Sequence, residues 1–288
     1  MIVETAPAKI NLYLHVGGVR PDGLHDLASL FVFTEGGDVI RVTNDSVLSL
    51  EVTGPFAEPL KTTSIEDNLV YRAARRLAEY SGTELGAKIT LEKNLPIAAG
   101  IGGGSADAAA ILRALVKLWR IDISDTSLAQ LAFSLGADIP ACLFKAPVNV
   151  TGAGEILEKG PVLPPLWACL VNPRVQMPTG PIFRAFDRKY PSPPNAELIH
   201  IAGTNYTDLT EQLAKTRNDL EPFARHHAPV VGEVIEMLDA TPGSMAARMS
   251  GSGATCFALF NSRESAERAA NRAKSFGSWA LASRLHVR

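Results

Sequence analysis

The segment Ala98–Ser105, Ala-Ala-Gly-Ile-Gly-Gly-Gly-Ser, contains the residue types that most directly indicate chemistry in this sequence. It lies between a predicted strand and an alanine-rich stretch with the composition of a buried helix. Glycine allows backbone N–H groups to approach a ligand, and the amino end of a helix carries partial positive charge. The segment therefore predicts a phosphate-binding loop. A glycine-rich turn that only packs against its neighbours is the alternative.

This loop matches neither of two common phosphate-binding sequence motifs. A Walker A motif requires lysine followed by serine or threonine, and here Gly104 directly precedes Ser105. The dinucleotide-binding motif requires glycine or alanine three residues after Gly102, where this sequence has Ser105. The loop thus predicts a phosphate-binding site that uses neither the Walker A motif nor the dinucleotide-binding motif.

Three side chains elsewhere have both a structural and a chemical interpretation. Lys9 lies on one face of an alternating strand, where an ordinary exposed lysine is the alternative to a catalytic one. Asp138 follows Gly136 and could either cap the apolar segment Ile139–Phe144 or act as a general base. His25 follows a Pro-Asp-Gly turn and could equally be an exposed histidine without a role. The residues alone leave these alternatives open.

The strands that must position these residues follow from hydrophobic periodicity. Residues 9–16 alternate between apolar and polar side chains, which predicts a strand with one face in a core. Shorter apolar runs then predict antiparallel strands, broken at Gly36-Gly37 and Asn44-Asp45. These runs are Phe31–Phe33, Val39–Val42 and Val47–Val52, and a further strand is predicted over Ala87–Leu91.

Helices are predicted from capping residues and apolar periodicity. The first spans Asn68–Tyr80 and ends at Gly82. The second, Asp107–Trp119, is so rich in alanine and leucine that we expect it to be mostly buried. A third runs over Ser124–Leu135 with serine as its cap, and Gly136 is expected to end it in a left-handed conformation.

Composition changes near Gly160, where several prolines follow, and we place a domain boundary there, giving domains 1–159 and 160–288. Residues 187–208 include Pro191, Pro193 and Pro194, which predicts an exposed and mobile loop. The remaining predicted elements are a helix (Pro229–Leu238), strands (Met245–Met249 and Thr255–Phe260), a helix (Arg263–Ser275) and a strand (Trp279–Val287). Antiparallel strands with helices on one side predict an α+β fold.

The overall composition excludes several function classes. The 288 residues are 46% hydrophobic and 20% charged, as is typical of a globular protein with a sizeable core. A formal net charge of −2 argues against a general nucleic-acid-binding protein. We expect no membrane span, because no apolar run approaches ~20 residues, and no signal peptide, because Met1–Thr5 has neither a basic nor an apolar region. The isolated Cys142, Cys169 and Cys256 indicate a reduced, cytoplasmic setting.

Three segments resemble the signature motifs of the GHMP kinases, the superfamily named for galacto-, homoserine, mevalonate and phosphomevalonate kinases. They are Ala6–Leu12, Leu95–Ala106 and Met249–Ala254, in the expected order and spread over nearly the whole chain. The resemblance implies a two-domain α+β fold with antiparallel-rich sheets and an active site in the cleft between the domains. It also implies phosphoryl transfer from ATP, with Mg²⁺, to a small alcohol.

Three further segments are similar to the branch of this superfamily that acts on a cytidine-diphosphate sugar alcohol. They are Arg20–His25, Ser134–Pro140 and Asn218–Glu221. The implied partners are ATP and that small molecule, with neither nucleic acid nor membrane, and the implied state is a monomer or weak homodimer. A kinase of the homoserine or mevalonate type and a non-catalytic nucleotide-binding regulator are the alternatives. The presence of both Lys9 and Asp138 speaks against the regulator.

The resemblance assigns catalytic and substrate-binding roles to individual residues. The aspartate that matches Asp138 is the general base for the substrate hydroxyl, and the lysine that matches Lys9 pairs with it. Phe183 is implied to stack on the cytosine base near His25. Leu24 stands where this branch usually has tyrosine, which puts one aromatic wall of the cytidine site in doubt. The residues implied to bind the sugar-alcohol substrate are Asn11, His25, Asp138, Thr179 and Phe183.

The ATP-binding residues are also implied by the resemblance. Asn68, Leu69 and Lys93 match the adenine pocket, although Asn68 could equally cap the following helix. The residues implied to hold the phosphates are Pro96, Ile97, Ala98, Ala99, Gly100, Ile101, Gly102, Gly103, Gly104, Ser105 and Ala106. Ser105 is in addition the candidate ligand for Mg²⁺, with a simple helix cap as its alternative.

Two features of these motifs qualify the resemblance. Ala98 and Ala106 replace the glycine and serine that are more usual in the loop, and alanine retains the backbone amide that binds phosphate. The segment Ser250–Gly253 is expected to line the cleft near the transferred phosphate. A tight β-turn requires the same glycines, so a structural role is the alternative for that segment.

Overall fold

The structure is a computed structural model that describes residues 1–84, 86–193, 195–202 and 205–288. The chain forms two compact units, each built from separate stretches of sequence. Unit 1 comprises Met1–Ala8, Gly36–Ile97 and Gly102–Lys145, and unit 2 comprises Lys9–Glu35, Ala98–Ile101 and Ala146–Arg288. The units are therefore interleaved along the chain. The division into residues 1–159 and 160–288 stays a prediction.

Two long strands, β1 (Ile2–Val19) and β2 (His25–Asp45), pair with each other and contribute residues to both units. β2 ends within the predicted Asn44-Asp45 break, but Gly36-Gly37 does not interrupt it, so the first predicted break is wrong. A Cβ atom at Gly37 would lie 2.0 Å from the carbonyl oxygen of Ala6. Glycine is required there because the backbone of β1 approaches closely.

The sheet of unit 1 joins the carboxyl half of β2 to β3 (Leu48–Thr53) and β4 (Gly86–Glu92). β4 pairs antiparallel with β2, as expected for this class of sheet. β3 and β4 pair in parallel, so the expectation of antiparallel strands is wrong for this pair. The reason is the long helical connection between them, because a parallel pair needs a crossover segment.

The helices of unit 1 begin and end largely where their capping residues predict. They are α1 (Glu58–Lys61), α2 (Leu69–Ser81), α3 (Gly103–Trp119), α4 (Asp125–Phe133) and α5 (Ile139–Phe144), with a 3-10 turn at Ile65–Asp67. The Asn68 side chain accepts a hydrogen bond from Val70 N, and α2 ends at Gly82 with φ 64°, as predicted. α3 begins earlier than predicted, is mostly buried, and packs against α2 and α5.

The end of α4 differs from the prediction. Ser124 caps its amino end by accepting a hydrogen bond from Ser127 N at 3.1 Å, as expected. Gly136 does not adopt a left-handed conformation, so that prediction is wrong. The chain leaves α4 through right-handed turns instead, because Ser134 Oγ and Gly136 N both donate to carbonyl groups of the last helical turn.

The strands of unit 2 pair antiparallel. They are the amino half of β2, β5 (Val148–Gly152), β6 (Ile156–Lys159), β7 (Trp167–Asn172), β8 (Ala246–Met249), β9 (Cys256–Phe260) and β10 (Trp279–His286). β10 pairs with both β2 and β7, β7 with β9, and β9 with β8. β5 lies between β2 and β6. The predicted strands near the carboxyl end are confirmed within one residue at each boundary.

The helices of unit 2 are α6 (Thr179–Lys189), α7 (Tyr206–Ala214), α8 (Glu221–His227), α9 (Val230–Asp239) and α10 (Arg263–Ser275). The apolar side chains of α6, α8, α9 and α10 form a core with those of β7 and β9. α6 extends into the predicted loop 187–208 and α7 begins inside it, so the irregular stretch is shorter than expected. Pro194 of that loop lies outside the described residues. No helix in the described part of the chain is both long and apolar enough to cross a membrane.

Candidate active site

The glycine-rich loop connects the end of β4 to the start of α3. Ala98, Gly100 and Gly102 adopt positive φ angles of 52°, 75° and 63°, which is the conformation that glycine favours and alanine rarely adopts. Gly102 occupies the N-cap position of α3 and has no side chain to cap the helix. The N–H groups of the first turn are therefore left for another acceptor, which is the arrangement that binds phosphate.

Two of the predicted motifs meet within unit 2. A Cβ atom at Gly100 would lie 2.6 Å from the carbonyl oxygen of Gly253 and 2.7 Å from that of Ser250. Ser250 Oγ donates to the carbonyl oxygen of Gly100 at 3.2 Å, and Thr255 N donates to that of Ala99 at 3.3 Å. The glycines at this contact are thus required for backbone-to-backbone packing, which holds the first part of the loop against the Ser250–Gly253 turn.

Lys9 and Asn11 form a buried polar pair on β1, close to the same turn. Lys9 is 5% exposed, so the interpretation as an exposed lysine is wrong. Its Nζ donates to Asn11 Oδ1 at 3.0 Å and lies 4.2 Å from the ring centre of Phe31. Asn11 N donates to Ser250 Oγ at 3.1 Å, and Asn11 Nδ2 donates to Ser29 Oγ at 3.0 Å. An ammonium group is therefore held in place by the backbone and amide of this unit.

Both faces of residues 9–16 are buried, which corrects the prediction of a strand with one face in a core. The polar face includes Lys9, Asn11 and His15, each at most 5% exposed. Alternation alone could not distinguish a solvent-exposed polar face from one that is covered by other segments of the fold. Burial of polar side chains requires hydrogen-bond partners, and His15 Nδ1 finds one in the carbonyl oxygen of Glu197 at 2.7 Å.

His25 and Phe183 are in contact, as the resemblance implies for a shared site. Their ring centres are 4.7 Å apart with an angle of 38° between the planes. His25 Nε2 lies 2.7 Å from Asp187 Oδ1, a partner that sequence reasoning missed. The signal for it was present, since Phe183 and Asp187 are four residues apart and share one face of α6. Thr179, at the start of α6, lies with its Oγ 2.9 Å from Ser252 Oγ.

Asp138 lies at the N-cap position of α5 in unit 1, with Pro140 in the first turn. Its side chain makes no capping hydrogen bond to the described residues of that helix. The side chain therefore does not cap this helix, and its role as a general base stays a prediction. Lys9 belongs to unit 2, and its pairing with Asp138 stays a prediction.

The polar atoms assigned to the adenine pocket are engaged within the protein. Asn68 Oδ1 accepts from Val70 N at 2.9 Å, which is the capping alternative, and Leu69 begins the same helix. Lys93 Nζ is buried between the carboxylates of Asp38 and Asp107. Sequence reasoning missed both aspartates, although Asp107 stood out as one of few charged residues in an alanine-rich helix. Direct contact of these side chains with adenine stays a prediction.

Comparison with known families matches both halves of the chain. Residues 68–146 match the GHMP kinases N terminal domain, and residues 204–278 match the GHMP kinases C terminal domain. A protein of Paramagnetospirillum magneticum named 4-diphosphocytidyl-2-C-methyl-D-erythritol kinase is 47% identical over 92% of this chain and 91% of its own length. A protein of Cereibacter sphaeroides with the same name is 49% identical over 97% and 98%.

Solved structures show the same similarity. The crystal structure of a 4-(cytidine 5'-diphospho)-2C-methyl-D-erythritol kinase matches with a TM-score of 0.81 and 33% identity, covering 99% of both chains. Homoserine kinase from Cytophaga hutchinsonii matches with a TM-score of 0.72 and 20% identity, covering 99% of this chain and 95% of its own. The second likeness supports the predicted two-domain α+β fold alone.

Proposed function

The chain belongs to the GHMP kinase family and, within it, to the 4-diphosphocytidyl-2-C-methyl-D-erythritol kinases, and we propose that it phosphorylates the 2-hydroxyl of that sugar alcohol. The phosphoryl donor is ATP and the products are the 2-phosphate and ADP, in the non-mevalonate route to isoprenoid precursors. The relatives that bear this name match the chain over more than nine-tenths of both lengths, which supports the acceptor.

The observation that carries the phosphotransferase chemistry is the buried Lys9–Asn11 pair beside the Ser250 turn. Asn11 N and the Gly100 carbonyl share the Ser250 hydroxyl, so a fixed ammonium group and the start of the phosphate loop belong to one rigid arrangement. Phosphoryl transfer needs mainly positioning and neutralisation of charge. A buried ammonium and a helix amino end supply both with little reorganisation.

Two residues carry the proton transfer in this proposal. Asp138 is the general base that takes the proton from the 2-hydroxyl as the phosphoryl group is transferred. Lys9 stabilises the negative charge that develops on that oxygen. Asp138 lies at the N-cap position of α5, directly before a helix that begins with Ile139 and Pro140.

The remaining assigned residues hold the two substrates. The N–H groups at the start of α3 bind the phosphates of ATP, while Asn68 and Leu69 border the adenine. His25 and Phe183 hold the cytosine, and Asn11 and Thr179 bind the polar groups of the acceptor. Contact between the His25 and Phe183 rings supports a shared aromatic site. Asp187 fixes the orientation of His25 through Nε2.

Mg²⁺ belongs to the proposal as the ion that neutralises charge on the phosphates. In the described residues, no group of three or more His, Cys, Asp or Glu side chains could hold a metal ion alone. Mg²⁺ commonly binds through one or two protein ligands together with substrate phosphates and water, so the proposal requires no such group. Ser105, in the first turn of α3, is the residue that would contribute a hydroxyl.

A cytoplasmic location and a monomeric or weakly dimeric state complete the proposal. The location is supported by the three cysteines, which are buried and form no disulfide among the described residues. Burial raises the pKa of the Cys169 thiol to about 12, so this thiol stays protonated and unreactive at neutral pH.

The proposed acceptor is tested by measuring ADP release in a coupled assay. Purified protein receives ATP and Mg²⁺ with 4-diphosphocytidyl-2-C-methyl-D-erythritol, homoserine or mevalonate in parallel reactions. We expect turnover with the cytidylyl substrate only. Turnover confined to homoserine or mevalonate would overturn the acceptor, and binding of ATP without turnover of any alcohol would favour the regulator.

The proposed base is tested with Asp138→Asn. We expect kcat to fall by at least ~10² while ATP binding and the melting temperature change little, because only the proton acceptor is lost. Asp125→Asn is a matched control, since Asp125 is an exposed carboxylate in the first turn of the neighbouring helix α4. Near-normal turnover of the Asp138 variant would leave this residue with a structural role only.

A further inference from the structure

A buried cluster of three charged side chains lies beside the phosphate loop, entirely within unit 1. We call it the loop cluster, and it consists of Asp38 on β2, Lys93 just after β4, and Asp107 on α3. The three residues are 0%, 3% and 3% exposed. Lys93 Nζ donates to Asp107 Oδ2 at 2.7 Å and also contacts Asp38 Oδ2. Removing an ammonium group and two carboxyl groups from water costs free energy, so a role beyond stability is sought for this cluster.

The loop cluster ties together the two ends of the loop. Asp38 Oδ1 accepts hydrogen bonds from Asn94 N at 2.5 Å and from Leu95 N at 2.7 Å, in the chain that leads into the loop. Asp107 lies in the second turn of α3, in the helix that leads out of it. Lys93 bridges the two carboxylates. The position of the first turn of α3 relative to the end of β4 therefore depends on this one ammonium group.

The contact with the first turn of α3 is direct. A Cβ atom at Gly103 would lie 3.3 Å from Lys93 Nζ, closer than most side-chain contacts in proteins. The ammonium thus lies against the backbone whose N–H groups are available to phosphate. Asp107 Oδ1 is buried and has no hydrogen-bond partner in the described structure, so this carboxyl group is held through Oδ2, to which Lys93 donates.

We propose that Lys93 is a positioning residue for the phosphate loop, which acts through Asp38, Asp107 and the backbone of Gly103 without contacting the nucleotide. The inference rests on the proposed function, since it takes the first turn of α3 as the site of the ATP phosphates. It assigns Lys93 a role different from the adenine contact that the resemblance implies. Loss of the ammonium moves the N–H groups of the turn and weakens phosphate binding whatever base the nucleotide carries.

The test compares the binding of ATP and of inorganic tripolyphosphate, both measured by calorimetry in the presence of Mg²⁺. The variants are Lys93→Met, which keeps most of the stem and removes the ammonium, and Asp107→Asn, which keeps an acceptor for Lys93. For Lys93→Met we expect Kd to rise about 10- to 100-fold for both ligands. For Asp107→Asn we expect a smaller rise, again equal for both ligands.

Glu4→Gln is the matched control, because Glu4 is another buried carboxylate of unit 1 with cationic partners on α3. It alters stability without touching the loop, so its Kd values should equal those of the wild type. Weakened binding of ATP with unchanged binding of tripolyphosphate would overturn the proposal in favour of an adenine contact. Equal weakening by Glu4→Gln would also overturn it, since general destabilisation would then explain the effect.

Three further outcomes complete the test. If Lys93→Met does not fold, Asp107→Asn decides the question, and unchanged Kd values for both ligands in that variant overturn the proposal. If the wild type binds ATP but phosphorylates none of the offered alcohols, the proposed activity is wrong while the binding experiment still tests the loop cluster. If the wild type binds neither ligand, both the proposed function and the inference fail.

Discussion

Unit 1 contains two buried ionic clusters with opposite charge ratios. In the loop cluster, one ammonium group, that of Lys93, pairs with two carboxyl groups. In a second group, which we call the β1 cluster, the single carboxylate of Glu4 pairs with three cations. Its partners are Arg113 at 3.1 Å, Lys117 at 2.6 Å and Lys145 at 2.9 Å.

The two clusters shift the pKa of their carboxyl groups in opposite directions, although burial acts the same way on both. Burial raises the pKa of Asp107, and Asp38 adds to this against the effect of Lys93, so the value reaches about 8. Burial would also raise the pKa of Glu4, but hydrogen bonds from Lys117 and Lys145 outweigh it and lower the value to about 2. The number of cations around a buried carboxylate, and not burial itself, decides the sign.

The clusters also differ in their access to water. The side chains of the loop cluster are all shielded from water, and we call such a cluster closed. In the β1 cluster, by contrast, 58% of the Lys117 side chain is exposed. A partly exposed cluster can lose one ion pair at small cost, because water replaces the missing partner. A closed cluster has no such replacement. The loop cluster should therefore respond more strongly to substitution than the β1 cluster.

The largest expected effect on stability is that of Lys93→Met. It leaves the Asp38 and Asp107 carboxyl groups buried together without a cation, and we expect a loss of about 3–5 kcal/mol in the free energy of unfolding. Urea denaturation at pH 7 measures it. A loss below about 1 kcal/mol would mean that the closed cluster is not held by its ammonium, and the comparison would fail.

Glu4→Gln should have the next largest effect. The amide cannot neutralise Arg113 and Lys145, which are largely buried, and we expect a loss of about 2 kcal/mol at pH 7. The same denaturation experiment applies. A loss equal to or greater than that of Lys93→Met would show that access to water does not separate the two clusters.

The pH dependence of stability should have opposite signs in the two clusters. The folded pKa of Glu4 is lowered, so its contribution is present above its ordinary value of 4.5 and is lost as pH falls toward 2. The folded pKa of Asp107 is raised, so its contribution is present below 3.8 and is lost as pH rises through about 8. Denaturation of the wild type at pH 3 to 9 should show both losses.

Two variants isolate these contributions. The advantage of the wild type over Glu4→Gln should shrink as pH falls below 4.5, and Asp107→Asn should lose less stability than the wild type as pH rises from 3.8 to about 8. Parallel curves for the wild type and Asp107→Asn over that range would mean that the pKa of Asp107 is not raised, contrary to the comparison.

The smallest expected effect is that of Lys117→Met. Lys117 is the most exposed member of the β1 cluster, and Glu4 keeps Arg113 and Lys145 as partners. We expect a change below about 1 kcal/mol in the free energy of unfolding. A larger loss would show that the three cations act as one unit.

The sequence by itself determined the local features of this protein. The Ser124 cap and the end of α2 at Gly82 are found where predicted, and the capping alternative holds at Asn68, because each depends on neighbours within a few residues. The composition of Ala98–Ser105 predicted phosphate binding from the properties of glycine and a helix amino end. The motifs also indicated the GHMP kinase family, which the comparisons confirm.

Tertiary structure alone decided which polar residues are buried and with what partners. The pairing of Lys93 with Asp38 joins residues 55 positions apart, and the burial of Lys9 depends on segments remote from β1. The parallel pairing of β3 and β4 likewise depends on the long helical connection between them, which brings distant segments together. Periodicity reports which face of an element is polar, whereas only the assembled fold determines whether water or another chain segment covers that face.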